Sequence, residues 1–569
     1  MAIALTALAA SATTLPNHFA QDDVPILTED ARPRSPFTWD QYLNEAYWPS
    51  PYLRFLYRPL ASLLIGIEWQ FGQGSPLPFK VMQLAIYSAS CIGVFALALR
   101  LLSPVIAVAI GLFFAIHPVH VEAVALAVNQ SEVVVGLLTA LTVAWYLDRR
   151  RRGLLTGREH AGLAGITLIA AHFKESGVML AALLFVTDLL MVPARTGKER
   201  LEAIKALVGW QTLAVAAVLI LRSRIEFQAT SGTFAAEAFD GMPLGNRALT
   251  MLSVVPEWLR LLLWPATLAG DYSPQHILPA TGWTTAQTTG ALILLLIAVL
   301  AWRVRRSAPV VSLGICWTGL ALFPVSNVLL PTGIVLAERT LFLPSIGAML
   351  AVGGVIAGLA TQPWAIRGWV RLAAGTACAL ILVMGTSRSL SRHRIWHSSF
   401  SFWGQTLVDA PTSYRAWVAF GSLLDRLGHR DRAIHAYEQG VALWSNTSGP
   451  IWQLAEWYRQ AGDCTKAAPM FARTLELNEF APARIGLINC QVKLGNYQEA
   501  RTAALGGIRE GFATEIFRTW LRTVDQAIKL GLPPSEVRYN PALTGTDASD
   551  NGEIPVIIPS RPDLNTTRK

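Results

Sequence analysis

FKVMQLAIYSASCIGVFALALRL, residues 79–101, decides the class of fold. It is apolar along nearly its whole length, with charge only at Lys80 and Arg100. A helix crosses the hydrocarbon core of a bilayer in about 20 such residues. Comparable runs follow at 104–117, 123–147, 161–173, 177–193, 204–222, 285–302, 309–329, 340–361 and 370–388. Residues 2–16 are apolar but short. No Lys or Arg precedes Arg32, so a basic signal-peptide flank is missing, and we read this run as a first membrane helix whose true start is open. The expectation is an all-α polytopic membrane bundle of about eleven spans.

Composition agrees. Of 569 residues, 52% are hydrophobic and 15% charged, against about 25% charged in soluble domains. The net charge of +9 gathers in loops rather than in a basic patch interleaved with aromatics, which argues against nucleic acid as a partner. Arg149 to Arg152, then Arg195, Lys198 and Arg200, then Arg303, Arg305 and Arg306, then Arg367 and Arg371 occupy alternate connections. Placed on the cytoplasmic side, they satisfy the positive-inside rule four times. The outer face then receives loops 17–77 and 223–284, several isolated polar stretches, and everything after residue 388. In the first loop, Phe37 to Tyr47 and Tyr52 to Leu63 read as short interfacial helices.

From about residue 400 the chain turns polar and helical. Gly428, Gly462 and Gly495 lie 34 and then 33 residues apart, each followed five residues later by Ala433, Ala467 or Ala500. Tyr437, Phe471 and Ala504 come four residues further on. A glycine ending one helix, a small residue and then a large one is the pattern of tetratricopeptide helix pairs, which stack into a solenoid. The organisation expected is a membrane domain over 1–390, a soluble repeat domain over 391–534 that recruits acceptor proteins, and a disordered tail over 535–569. Cys91, Cys316 and Cys378 fall in apolar segments and read as packing residues. Cys464 and Cys490 fall in neighbouring repeats, where a disulfide is an open outcome. No CxxC pair argues for structural zinc, and no Walker loop, GxGxxG or GxSxG stands in a fitting context.

Six polar stretches converge on the outer face. Asp22 and Asp23 follow the first apolar run, and either carboxylate suits a general base for an acceptor hydroxyl. His117, His120 and Glu122 are a weak zinc set because Pro118 disturbs the helix between them; they read as substrate-binding or orienting groups, or as imidazoles that cap and pack at a helix end. Lys174, with Glu175 beside it, and Arg339, with Glu338 before it, suit a phosphate at the membrane boundary, as does Arg58. Asp271 and Tyr272 lie in the large outer loop.

In this order the stretches resemble the transmembrane and tetratricopeptide-repeat-containing O-mannosyltransferases and their bacterial relatives. The motifs are Phe19-Ala20-Gln21-Asp22-Asp23, Tyr57 to Leu60, His117 to Val124, Lys174-Glu175, Asp271 to Ser273 and Glu338 to Ser345. They run from about residue 15 to the repeats near 510. The short first helix and the small number of repeats depart from the family pattern. The resemblance implies a GT-C glycosyltransferase fold and a polyprenyl-phosphate sugar donor, with mannose the expected sugar. It implies a protein Ser or Thr hydroxyl as acceptor, and Asp22 or Asp23 as catalytic base. No cofactor or metal is then required, although a divalent ion stays open. The expected location is a bacterial inner membrane with the repeats on the periplasmic side. Two other readings stay open: a non-enzymatic scaffold recruiting envelope proteins, and a flippase or polymerase of lipid-linked glycans.

Overall fold

The computed structural model describes residues 1–35, 39–49, 56–193, 196–226, 236–511 and 513–539. Parts of the expected interfacial helices near 37 and 52, residues 227–235 of the second outer loop, and residues 540–569 of the expected tail lie outside these. Every regular element among the described residues is helical. The chain divides into two units, Met1–Pro411 and Thr412–Lys569.

The first unit holds sixteen α-helices: α1 (Ala2–Ser11), α2 (Trp39–Asn44), α3 (Pro59–Gly72), α4 (Pro76–Leu101), α5 (Pro104–Ala115), α6 (Val121–Ala125), α7 (Gln130–Arg150), α8 (Gly157–Phe173), α9 (Met179–Met191), α10 (Gly197–Glu226), α11 (Leu244–Leu263), α12 (Thr285–Val304), α13 (Pro309–Leu322), α14 (Phe342–Ala360), α15 (Gly368–Ile395) and α16 (Ser399–Asp409). Local chemistry sets their starts. Proline occupies the first turn of α3, α4, α5 and α13, where its missing N–H costs nothing. Thr156 with Glu159, and Thr284 with Gln287, form capping boxes at α8 and α12.

Among the described residues, six helical segments are long and apolar enough to cross a membrane, or seven if α5 and the segment after it, bent by 46°, form one span. The number expected from apolar runs was about eleven. The difference is length: α1, α5, α8, α9 and α13 have 10 to 17 residues, short of the roughly 20 that a helix needs to cross alone. The apolar core gathers α1, α4, α5, α7, α9, α13 and α14 around Tyr87, Phe114, Tyr146, Trp317 and Phe342. Helices α4, α7, α8 and α15 share one arrangement. One end of each lies among the polar stretches singled out above, and the opposite end lies among basic loops, where Arg100 meets Asp148 and Arg149 meets Glu159.

The second unit is a series of helix pairs: α17 (Tyr414–Arg426) with α18 (Arg430–Leu443), α19 (Ser448–Gln460) with α20 (Cys464–Leu477), and α21 (Ala481–Lys493) with α22 (Tyr497–Glu510), closed by α23 (Thr514–Leu530). Gly428, Gly462 and Gly495 turn the chain within each pair at φ of 83°, 85° and 80°, a conformation that glycine adopts without strain. Ala433, Ala467, Ala500 and Phe471 are fully buried. Phe471 presses on Gly486 of α21, so it joins one pair to the next. Cys464 and Cys490 are free thiols buried in the same small core.

Phe471 touches both its own pair and its neighbour. Phe471→Ala is therefore expected to cost about 3–5 kcal/mol, read as an earlier unfolding transition of the second unit in a denaturant titration.

Candidate functional site

The segment after α1 is clasped to the end of α15. Thr13 Oγ1 donates to Leu390 O at 2.9 Å, Asn17 Nδ2 to His393 O at 2.8 Å, the His18 amide to His397 O at 3.0 Å, and the Gln21 amide to Ser399 Oγ at 3.1 Å. Gln21 then takes φ of 53°, a left-handed turn for a non-glycine residue. Such strained conformers persist where the surroundings hold them, and they gather at functional sites.

That turn sends the two aspartates to different environments. Asp23 is fully buried and accepts the Ala127 and Val128 amides at 3.1 and 3.0 Å, with Lys80 Nζ at 3.6 Å. Burial pushes its carboxyl above the usual range against the pull of Lys80 and the amides. Asp22 keeps 31% of its side chain exposed and faces Arg339 at 3.6 Å.

Arg339 lies in the turn that opens α14. Its guanidinium is bonded to Glu122 on α6, and its amide donates to the other oxygen of that carboxylate at 2.8 Å. Asp22, Arg339 and Glu122 thus form one line of alternating charge. Beside it, Lys174 is bonded to Glu132 at the start of α7. Arg58, stacked 5.2 Å from the Tyr47 ring, grips Glu175 at 2.7 Å through Nη2 and at 3.1 Å through Nε. Arg222 on α10 approaches Glu175 at 3.9 Å. These groups feel one another: Lys174 is depressed first by burial and further by the charges of Arg58 and Arg339. Each predicted phosphate-binding cation is therefore already matched to a carboxylate. Arg339 and Arg222 keep the most open side chains, at 21% and 27%.

The histidines sit apart from this line. His117 Nε2 donates to Leu262 O at 3.1 Å, and its Nδ1 accepts the Val119 amide at 3.3 Å. His120 lies between Tyr87 Oη at 3.1 Å and Ser345 Oγ at 2.9 Å, against Phe114 and Phe342. All four ring nitrogens are engaged within the protein, and the Glu122 carboxylate is turned towards Arg339. Among the described residues, no group of three His, Cys, Asp or Glu side chains is gathered as metal ligands.

Glu338 and Tyr272 form a second, buried network. Glu338 accepts the Ala269 amide at 2.8 Å and Tyr272 Oη at 3.1 Å, with Arg392 of α15 at 4.0 Å. Arg392 is in turn paired with Asp409. Asp271 accepts its own Ser273 amide at 2.9 Å, shaping the turn rather than reaching the charged line. Gly270 lets α16 pack directly on this loop, where a side chain would collide with Phe402 and Thr406.

Sequence reasoning did not single out Lys80, Glu132, Arg222 or Arg392 as site residues. Lys80 and Glu132 carried a usable signal, since a charge inside an apolar helix is costly unless paired. Arg222 and Arg392 end long helices and carried none.

The fold and site together define an all-helical membrane protein with a charge-paired, half-open centre at one end of its bundle. No protein-family model matches the chain. Among curated proteins, Protein O-mannosyl-transferase TMTC3 of Homo sapiens is 22% identical over 497 residues, covering 80% of this chain and 53% of its own length. Protein O-mannosyl-transferase TMTC1 of Homo sapiens is 23% identical over 478 residues, covering 76% and 53%. Protein O-mannosyl-transferase Tmtc3 of Drosophila melanogaster is 24% identical over 503 residues, covering 75% and 53%. The chain is a distant relative of these TMTC proteins and spans about half their length.

Burial would raise the Glu175 carboxyl, but Arg58 outweighs it and brings it down to about 2 from the usual 4.5. A depressed carboxyl stabilises the fold fully above its unfolded value and loses that contribution as pH falls through its folded one. Thermal unfolding should therefore show a pair-dependent loss between about pH 4.5 and 2, and Arg58→Gln should flatten that limb.

Proposed function

We propose that this protein is an integral-membrane glycosyltransferase of GT-C type. It moves a sugar, mannose on the relatives' printed names, from a polyprenyl-phosphate donor to a Ser or Thr hydroxyl of a protein on the non-cytoplasmic face. The observation that carries this is the pairing of Asp22, half-open and unburdened by backbone amides, with Arg339, which is itself held by Glu122.

On this reading Asp22 is the general base. It removes the acceptor proton as the hydroxyl oxygen attacks the anomeric carbon. The bond to the phosphate oxygen breaks on the opposite face, so the configuration inverts. Arg339 and Arg222 have the openness to meet the donor phosphate and offset the charge that grows there. Lys174 and Arg58, held by Glu132 and Glu175, supply positive potential from behind. A phosphate arriving at Arg339 competes with Asp22 for the guanidinium, and this frees the carboxylate as the base is needed. Asp23 acts as a strut, locking residues 127 and 128 to the turn.

The helix pairs of the second unit support a tetratricopeptide solenoid that recruits acceptor proteins and raises their concentration for the same chain. The alternating basic loops support an arrangement with the charged centre on the outer face of a bacterial inner membrane. The shorter helices α1, α5, α8, α9 and α13 would bring the six long spans to eleven, each lying within the bundle beside longer neighbours.

The test is transfer from radiolabelled polyprenyl-phosphate mannose in proteoliposomes. Asp22→Asn is expected to lower kcat by about 10²–10⁴ without moving the melting temperature. Asp23→Asn should instead lower the melting temperature, because it weakens the anchoring of residues 127 and 128. Wild-type turnover by Asp22→Asn would remove Asp22 from the reaction.

A further inference from the structure

A cleft of about 620 Å³ opens in the first unit, walled by α11, the start of α12 and the loop between them. None of Asp22, Glu122 or Arg339 lines it. One wall carries an ion pair, Arg260 Nε to Glu257 Oε2 at 2.8 Å, and Arg260 Nη1 also holds Thr267 O at 2.8 Å. Tyr272 lies against the His276 ring at 5.3 Å, while its hydroxyl bonds Glu338.

The other wall is Leu278–Gly282, irregular backbone between α11 and α12. The Ala280 amide is fixed by Thr250 Oγ1 at 2.8 Å. Among the described residues, the peptide groups of Leu278, Thr281 and Gly282 have no hydrogen-bond partner in the chain. Backbone groups left open along a cleft wall are what an added strand pairs with. Leu278 stands 63% exposed beside them.

We propose that this cleft binds the acceptor as an extended polypeptide segment, paired along 278–282. This rests on the transferase reading above and names the substrate subsite that reading lacks. The lining selects the occupant. A polyprenyl tail would cover the Glu257–Arg260 pair and the open peptide groups without satisfying them, a net cost. A peptide backbone returns those hydrogen bonds, and the volume falls within the range of about 300–1,000 Å³ typical of ligand sites. The position fits as well. The Ala269 amide and Tyr272 Oη both hold Glu338, and the next residue along the chain is Arg339. The cleft and the charged centre are thus joined through one peptide unit.

Gly282 offers a clean probe. A side chain there meets nothing within 4 Å, and the same holds at Gly245, which lies outside the cleft. Gly282→Trp adds a bulky ring at the cleft wall without a clash at its Cβ, and Gly245→Trp is its control. The full chain in detergent is titrated with fluorescein-labelled synthetic peptides of alternating Thr and Val, read by anisotropy, and transfer kinetics are measured in parallel. We expect Gly282→Trp to weaken peptide binding and to raise the peptide KM by about tenfold or more, with the donor KM and kcat held and Gly245→Trp unchanged. Equal binding by Gly282→Trp, binding by neither protein, or displacement of the peptide by polyprenyl phosphate alone would each overturn the cleft assignment. Peptide binding that is lost in Gly282→Trp, in a protein that transfers no sugar, would uphold the cleft and defeat the transferase reading instead.

Discussion

A charge drawn out of water must find a counter-charge, and the first unit is arranged around that requirement. Lys174 and Arg58 are paired with Glu132 and Glu175, and Arg339 lies between Glu122 and Asp22. Those partners come from different segments of the chain, so each ion pair is also a tie between elements. Removing Glu132 would leave the Lys174 ammonium without its partner and largely out of water, at a cost of about 3–5 kcal/mol. The geometry of the centre is thereby coupled to the stability of the bundle, and it cannot relax without loosening the helices that carry it.

This coupling explains how so short a first helix can hold the Asp22 carboxylate in place. A helix of ten residues has little grip of its own. The grip comes from the end of α15, through bonds to Leu390, His393, His397 and Ser399, and from Asp23, which reaches the backbone before α7. Residues nearly 380 apart in sequence meet here. The strained turn at Gln21 is affordable because both of its flanks are tied.

The helical class, the membrane-crossing runs and the glycine-marked pairs of the second unit were legible because each rests on local chemistry: apolar length, periodicity, or a left-handed turn. The Asp22, Lys174, Glu175 and Arg339 stretches were legible as charges that an apolar chain would not carry idly. What was not legible was pairing. Nothing in the order of residues says that Lys174 leans on Glu132 rather than on its neighbour Glu175, or that Glu122 serves Arg339 rather than the adjacent His120. Span number is not settled by the sequence for a related reason, since an apolar run records burial but not whether that burial is in lipid or against other helices.

The same distinction separates the two adjacent aspartates, which sequence alone leaves equivalent. Asp23 has two amide donors, Lys80 at 3.6 Å and no exposed surface, so its carboxyl group is spent on architecture. Asp22 has one cation at 3.6 Å, beyond direct hydrogen-bond length, and an open flank. On the reading proposed above, the base must exchange its partner for a substrate proton within the reaction. Asp23 could do so only by releasing residues 127 and 128, and with them the start of α7 and Glu132. Asp22 need only let Arg339 turn towards a phosphate, and Arg339 stays anchored through its own amide to Glu122 while it turns. The division of labour between the two follows from which of them the surrounding backbone can spare.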